Sequence, residues 1–192
     1  MRAIRKFCQI AIPVLTAGCS DVDGPSANPV ALVSASHNPG KVVACGTSIV
    51  ADLTLGNDLN CPGDALIVSA DGVRLDLNGH TIMGSGVGVG ITVRMRSDVS
   101  IFGGTIRNFV TGSFVSQSTN VQLTKNWFTQ NREAVFFIGS KAGTIQWNVA
   151  WQNTERGIML RPTGGGITST QNVVVQNITR REPERHPGLR AA

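Results

Sequence analysis

The reactive side chains with the most suggestive spacing in this sequence are Arg74, Asp76 and His80. In an extended strand followed by a turn, they could project from neighbouring positions onto one outer surface. A base and a cation placed in this way could remove the C5 proton of a uronic sugar, as in a lyase or epimerase reaction. Three further arginines could extend the cationic strip: Arg94, Arg96 and Arg107. The alternative, which we favour, is a solvated strand face with ordinary cross-strand pairs.

Carboxylates are few in the body of the chain and do not form pairs. Residues 42 to 179 contain six Asp and two Glu, and no two Asp are adjacent. Hydrolysis of a glycosidic bond needs two carboxylates flanking that bond, and a Ca²⁺ site needs several oxygen ligands converging on one groove. The sequence therefore predicts no two-carboxylate hydrolase, and Ca²⁺ would have a role only if the chain were a lyase.

Metal-ligating residues are equally scattered. His37, His80 and His186 lie in three separate segments. No His stands near a Cys at a spacing typical of metal sites. We therefore expect no metal and no cofactor.

Aromatic side chains offer a different kind of site, because an exposed ring can stack on a sugar while a buried ring fills the core. The chain has three tryptophans: Trp127, Trp147 and Trp151. Trp151 aligns with Thr129 and Arg107 in the repeat described next, in a column that looks outward, and is the sugar-stacking candidate. The phenylalanines of the same repeats are expected in the core: Phe114, Phe136 and Phe137.

A repeat of about 22 residues sets the expected fold. Copies begin at Asp98, Asn120 and Ala142, and a fourth, with about two extra residues, begins at Gly164. Two apolar columns and two asparagine columns recur: Ile101, Leu123, Ile145 and Ile167; Ile106, Phe128, Ala150 and Val174; Asn126, Asn148 and Asn172; Asn131, Asn153 and Asn177. No copy can bury a face alone, so stacked coils with parallel strand pairing are expected to share one core. The asparagines are interpreted as turn residues that tolerate left-handed conformations and as ladders of stacked amides.

Upstream of the repeats, VRLDLNGHTIMG alternates from Val73, with Val73, Leu75 and Leu77 on one face. With CGTSIVADLTLGNDLNCPGDALIV before it, this segment resembles the start of secreted bacterial proteins of the pectate-lyase-like class. The resemblance covers residues 44–179 and implies an all-β fold, a single-stranded right-handed parallel β-helix of about five to six coils. The class includes polysaccharide lyases, alginate epimerases, phage tailspikes and periplasmic helpers of copper-enzyme maturation, so the fold does not select a chemistry.

The N-terminal segment carries signals for export. Residues 1–18 combine early basic residues, a short apolar run and small residues, as signal peptides do. The residues before Cys19 resemble a lipobox, which predicts lipidation of Cys19, and Ser20 then favours the outer membrane. Ordinary secretion is the alternative. Residues 19–43 are rich in Pro, Ser and Asn and are predicted to be a flexible tether.

Two cysteines remain in the body of the chain, Cys45 and Cys61. In an oxidising compartment they are expected to pair, closing a loop of about 15 residues and contributing roughly 3 kcal/mol. Two buried free thiols are the alternative.

The C-terminal residues 180–192 form a polar tail with too few apolar residues to cap a solenoid. This favours a truncated relative of longer β-helix proteins. The net charge of +5 comes from the two ends, because residues 42 to 179 hold nine Lys or Arg against eight Asp or Glu. A phosphate-binding face needs many uncompensated cations, so no nucleic-acid partner is expected.

These observations favour a non-enzymatic exported β-helix module that binds glycans or another protein, with membrane contact only through a lipid anchor. The expected location is the outer membrane or cell surface, or alternatively the periplasm or medium. The alternative function is a polysaccharide lyase or epimerase-like enzyme acting on acidic polysaccharide through Arg74, Asp76, His80 and Arg96.

Overall fold

The computed structural model describes residues 39–163 and 168–180 of the chain. The predicted signal peptide, Cys19, the tether up to residue 38 and the tail from residue 181 lie outside the described residues, and they remain predictions.

The described residues form only β-strands, arranged as a parallel β-solenoid of about five turns. Short strands alternate with polar corners, and each strand pairs in parallel with its equivalents in the coils before and after it. This pairing satisfies main-chain groups that a two- to six-residue strand could not satisfy alone. The predicted all-β solenoid is confirmed. No helix in the described part of the chain is long and apolar enough to cross a membrane.

Three six-stranded sheets make up the walls. Sheet 1 contains β1 (Thr47–Ile49), β4 (Leu66–Val68), β7 (Val89–Arg94), β10 (Thr111–Ser116), β13 (Glu133–Ile138) and β16 (Arg156–Arg161). Sheet 2 contains β2 (Leu53–Thr54), β5 (Arg74–Asp76), β8 (Ser100–Phe102), β11 (Gln122–Thr124), β14 (Thr144–Gln146) and β17 (Val173–Val175). Sheet 3 contains β3 (Leu59–Asn60), β6 (Thr81–Met83), β9 (Thr105–Arg107), β12 (Trp127–Thr129), β15 (Val149–Trp151) and β18 (Ile178–Arg180).

Inward side chains of successive coils form continuous apolar columns. Leu123 pairs with Ile101 on one side and Ile145 on the other, and all three are fully buried. Val73, Leu75 and Leu77 are buried as their alternation predicts. These columns merge into a single core that runs along the solenoid axis.

The register predicted for the last coil is wrong. Ile145 pairs with Val174 and not with Ile167, and Ala150 pairs with Thr179. Equivalent residues are 29 apart here and 22 apart in the preceding coils. The insertion is therefore seven residues long, not two, and it falls between β16 and β17.

The predicted amide ladders are confirmed, with one change of membership. Asn148 Oδ1 accepts the Asn126 backbone N–H at 3.0 Å, but the next member of that column is Asn177. Asn172 instead accepts the Gly143 backbone N–H at 2.8 Å.

Left-handed backbone at the corners belongs to other residues than the buried asparagines. It occurs at the residue before each of them: Lys125, Gln130, Trp147 and Gln152. Each of these residues turns the chain at the corner, and the asparagine that follows points inward and holds the turn together.

Phe114 and Phe136 were predicted to lie in the core, but they lie on the outside of sheet 1. Gly112 and Ser113 are buried in succession, so the in-and-out alternation shifts by one residue before Phe114. The same shift occurs in the next coil before Phe136. Phe137 is fully buried, as predicted.

At the N-terminal end of the solenoid, a disulfide joins Cys45 to Cys61, with Cα atoms 5.5 Å apart. Cys61 is fully buried, and Cys45 packs against the core. The bond fixes the segment before β1 against the corner that follows β3.

Candidate functional site

The three side chains of the predicted reactive trio have different partners. The Arg74 guanidinium, on the outer face of sheet 2, lies 4.3 Å from the centre of the Phe102 ring. Asp76 Oδ1 accepts the Asn78 backbone N–H at 2.8 Å. His80, at the corner between β5 and β6, places Nδ1 2.9 Å from Asp58 Oδ1.

The predicted cationic strip does not form, because its arginines lie on different walls. Arg94 ends β7 in sheet 1, and Arg107 ends β9 in sheet 3. The equivalent of Arg74 one coil later is Ser100, 26 residues on. Arg96 therefore falls in the corner before β8 rather than beside Arg74.

An open cavity of about 450 Å³ lies over the first strands of sheet 2. Its charged lining consists of Lys41, Asp52, Arg74 and Asp76. His80 does not line it. The groove thus has mixed charge and lacks the imidazole that the lyase interpretation assigned as the base.

The aspartates of the first coil and the corner that follows it are engaged by the backbone of the next coil. Four of them each accept a main-chain N–H at 2.8–3.0 Å: Asp52 from Arg74, Asp58 from Thr81, Asp64 from Val89 and Asp71 from Ser97. The Thr81 N–H and the His80 ring both hydrogen-bond to Asp58 and lower the pKa of its carboxyl below the ordinary value. These carboxylates lie at successive corners of the solenoid and do not converge on one groove. Their spacing of six or seven residues is the sequence signal that could have revealed this role.

A buried carboxylate that the sequence reasoning missed lies on sheet 1. Glu133 is only 6% exposed, and it pairs with the Arg156 guanidinium and accepts a hydrogen bond from the Thr111 hydroxyl. Glu155 pairs in turn with Arg132 at 3.0 Å. Since these partners are 22 or 23 residues apart, their contact appears only once the coils are stacked. The cluster neutralises its own charge and stabilises the stacking of β10, β13 and β16.

Three exposed tryptophans form the most distinctive surface of the described residues. We call Trp127, Trp147 and Trp151 the tryptophan flank; they lie on sheet 3 and at the corner before it. They are 56%, 50% and 36% exposed, respectively. Lys125 Nζ lies 5.8 Å from the centre of the Trp147 ring, and the Arg180 guanidinium lies 5.9 Å from that of Trp151. The sequence predicted an outward position for Trp151 only.

Residues 58–180 match the model of the NosD family, which is described as a periplasmic copper-binding protein. The chain belongs to the NosD family. The match covers more than half of the chain and agrees with the predicted β-helix and with export. Comparisons with curated proteins and with solved structures gave no significant match.

The copper named in the NosD family description does not fit the residues that the structure describes. Residues 39–163 and 168–180 contain no group of three or more His, Cys, Asp or Glu side chains that could hold a metal ion. Cys45 and Cys61 are joined to each other, and His80 is held by Asp58 alone. Copper prefers imidazole and thiolate or thioether sulfur, and no such set converges here.

Proposed function

We propose that this chain is a non-catalytic NosD-type module of the periplasm that binds glycan chains through the tryptophan flank. The observation that carries the proposal is the exposure of three indole rings on neighbouring coils of one wall. Exposed large aromatic rings in a soluble protein indicate a binding surface, since they would otherwise be buried.

The surroundings of the tryptophan flank suit a polyhydroxylated ligand. Gln146 and Gln176, on the adjoining edge of sheet 2, hydrogen-bond to each other at 2.8 Å and present amide groups beside Trp147. Thr129 stands next to Trp151 in the neighbouring strand. Apolar rings provide contact area, and amides and hydroxyls provide directional hydrogen bonds, which is the usual composition of a small-ligand or sugar site.

The lyase or epimerase alternative has less support from the geometry. It needs a base and an unengaged cation facing one sugar unit. Asp52 and Asp76 accept backbone hydrogen bonds, and His80 lies away from the cavity that contains Arg74. Pectate and alginate incubated with the protein, with and without Ca²⁺, are expected to give no unsaturated-uronate absorbance. A rise that is lost in His80→Ala would establish the enzyme and refute the binding module.

Glycan binding is tested first with an array of bacterial and plant polysaccharides, followed by titration of the best oligosaccharide. Trp127→Ala and Trp151→Ala are each expected to weaken binding at least about tenfold, because a stacking ring contributes of the order of 1–2 kcal/mol. Met95→Ala is the matched control, since Met95 is 67% exposed but lies at a corner after sheet 1. No bound glycan, or equal binding by the tryptophan variants, would refute the proposal.

We further propose that export is followed by lipidation at Cys19, which would anchor the module to the outer membrane. The support is the lipobox-like sequence that precedes Cys19 and the family's periplasmic description. Cys19→Ser is expected to move the protein from the membrane fraction to the soluble periplasmic fraction. Unchanged fractionation would contradict the anchor and leave the glycan proposal intact.

A further inference from the structure

The outer face of sheet 1 carries a second surface, on a different wall from the tryptophan flank. We call it the phenylalanine face: Phe114, Phe136, Ile138 and Met159, with Arg94 and Arg161 at its two ends. The two phenylalanines are neighbours in adjacent strands, with ring centres 5.6 Å apart and planes at 76°. The Arg94 guanidinium lies 4.9 Å from the centre of the Phe114 ring.

The composition of this face is that of a protein interface. Aromatic residues, Met and Arg are enriched where proteins bind proteins, and hot spots consist largely of aromatic and Arg side chains. The edge-to-face arrangement of Phe114 and Phe136 leaves no common flat platform on which a sugar ring could stack. We infer that the phenylalanine face binds a partner protein through an extended acidic segment.

The charges of the face specify an acidic partner. Within the described residues neither Arg94 nor Arg161 has an ion-pair partner, whereas Arg156 is paired with the buried Glu133. A second copy of this chain would bring arginines against arginines, because the only carboxylate on the face is already engaged. Carboxylates on a partner would instead form charge-assisted hydrogen bonds with both guanidinium groups.

The spacing of the two arginines specifies the form of the segment. Arg94 and Arg161 occupy one column, three strands apart through Ser116 and Ile138. Strands lie about 4.8 Å apart, so the arginines are separated by about 14 Å. An extended chain rises about 3.3 Å per residue, so two acidic residues four positions apart span this distance with their side chains on one face. The residue midway between them points the same way and meets the phenylalanines, which fits an apolar side chain.

The experiment uses two phage-displayed peptide libraries panned on the full chain. In the first, an acidic residue, any residue, an apolar residue, any residue and a second acidic residue follow each other within random flanks. The second library is identical except that Lys or Arg replaces the acidic residues. Only the acidic library is expected to yield binders, and their affinity should fall as salt is added because exposed charges are screened.

Two variants locate the binding. Phe136→Ala is expected to weaken the selected peptides at least about tenfold, whereas Met95→Ala leaves them unchanged. The double variant Arg94→Glu and Arg161→Glu is expected to reverse the preference toward the basic library, which is independent of how well Phe136→Ala folds. Enrichment of neither library, enrichment of the basic library by the wild type, or equal binding by the charge-reversed variant would overturn the inference.

Discussion

Asn148→Ala removes the most connected side chain of the buried amide ladder. Asn148 is 2% exposed. Its Oδ1 accepts the Asn126 backbone N–H at 3.0 Å, and its Nδ2 donates to the Leu123 carbonyl at 2.8 Å. Alanine can replace neither bond, and no water replaces them without opening the core. The variant therefore leaves one donor and one acceptor of the preceding coil without these partners.

The expected loss follows from those two groups. A buried polar group that loses its partner costs about 1–3 kcal/mol, so the two together cost about 2–6 kcal/mol. A domain of this size has a free energy of unfolding of about 5–15 kcal/mol. The substitution should therefore remove a large fraction of the stability without changing the exterior of the solenoid.

Urea unfolding followed by far-UV circular dichroism measures the effect as a shift in midpoint at constant slope. Gln122→Ala is the matched control, because Gln122 points outward from β11 and is exposed. It should change the free energy of unfolding by less than about 0.5 kcal/mol. A loss below about 1 kcal/mol for Asn148→Ala would refute the argument that the ladder, rather than the apolar columns alone, holds the corners.

Three further predictions concern other parts of the solenoid. Asp58→Asn should lower the melting temperature at pH 5 but much less at pH 3: the folded-state pKa of Asp58 is lowered, so its contribution is present above its unfolded pKa and is lost as pH falls through the folded value. A melting difference that stays constant between the two pH values would contradict this. Ser113→Ala should raise the free energy of unfolding by about 1 kcal/mol, because the buried Ser113 hydroxyl has no hydrogen-bond partner among the described residues; the outward-facing Ser116→Ala should have no effect, and a destabilised Ser113→Ala would show that the hydroxyl has a partner. Reducing the Cys45–Cys61 bond, whose residues are 16 apart, should cost about 3 kcal/mol in urea unfolding; the reductant should not affect Cys45→Ser, and an unchanged wild-type midpoint would contradict the prediction.

The sequence predicted the solenoid because its side chains recur once per coil. Ile101, Leu123 and Ile145 share a column that periodicity alone identifies, since each stands the same number of residues after the last. The last coil was misaligned because a second apolar residue, Ile167, stood at the expected interval while the true partner, Val174, followed a longer insertion. Only three-dimensional pairing distinguishes these two residues.

The outer surfaces were harder to predict, because a strand pattern gives alternation but not its starting parity. Two inward residues in succession before Phe114 reversed the parity, and a core assignment became an exposed one. Partners across coils, such as Asp58 with His80 and Glu133 with Arg156, are more than 20 residues apart. Residue type alone identifies these groups as reactive, but their hydrogen bonds show that they are structural.

The near-constant interval between partner strands also determines how the chain can fold. In a β-sandwich, many strands must find partners far away in the chain, and that search slows folding. Here each new coil closes a loop of 22 to 29 residues, and the entropy of closing a loop grows only with the logarithm of its length. The last coil can therefore close almost as readily as the second, and structure can grow outward from whichever pair of coils forms first.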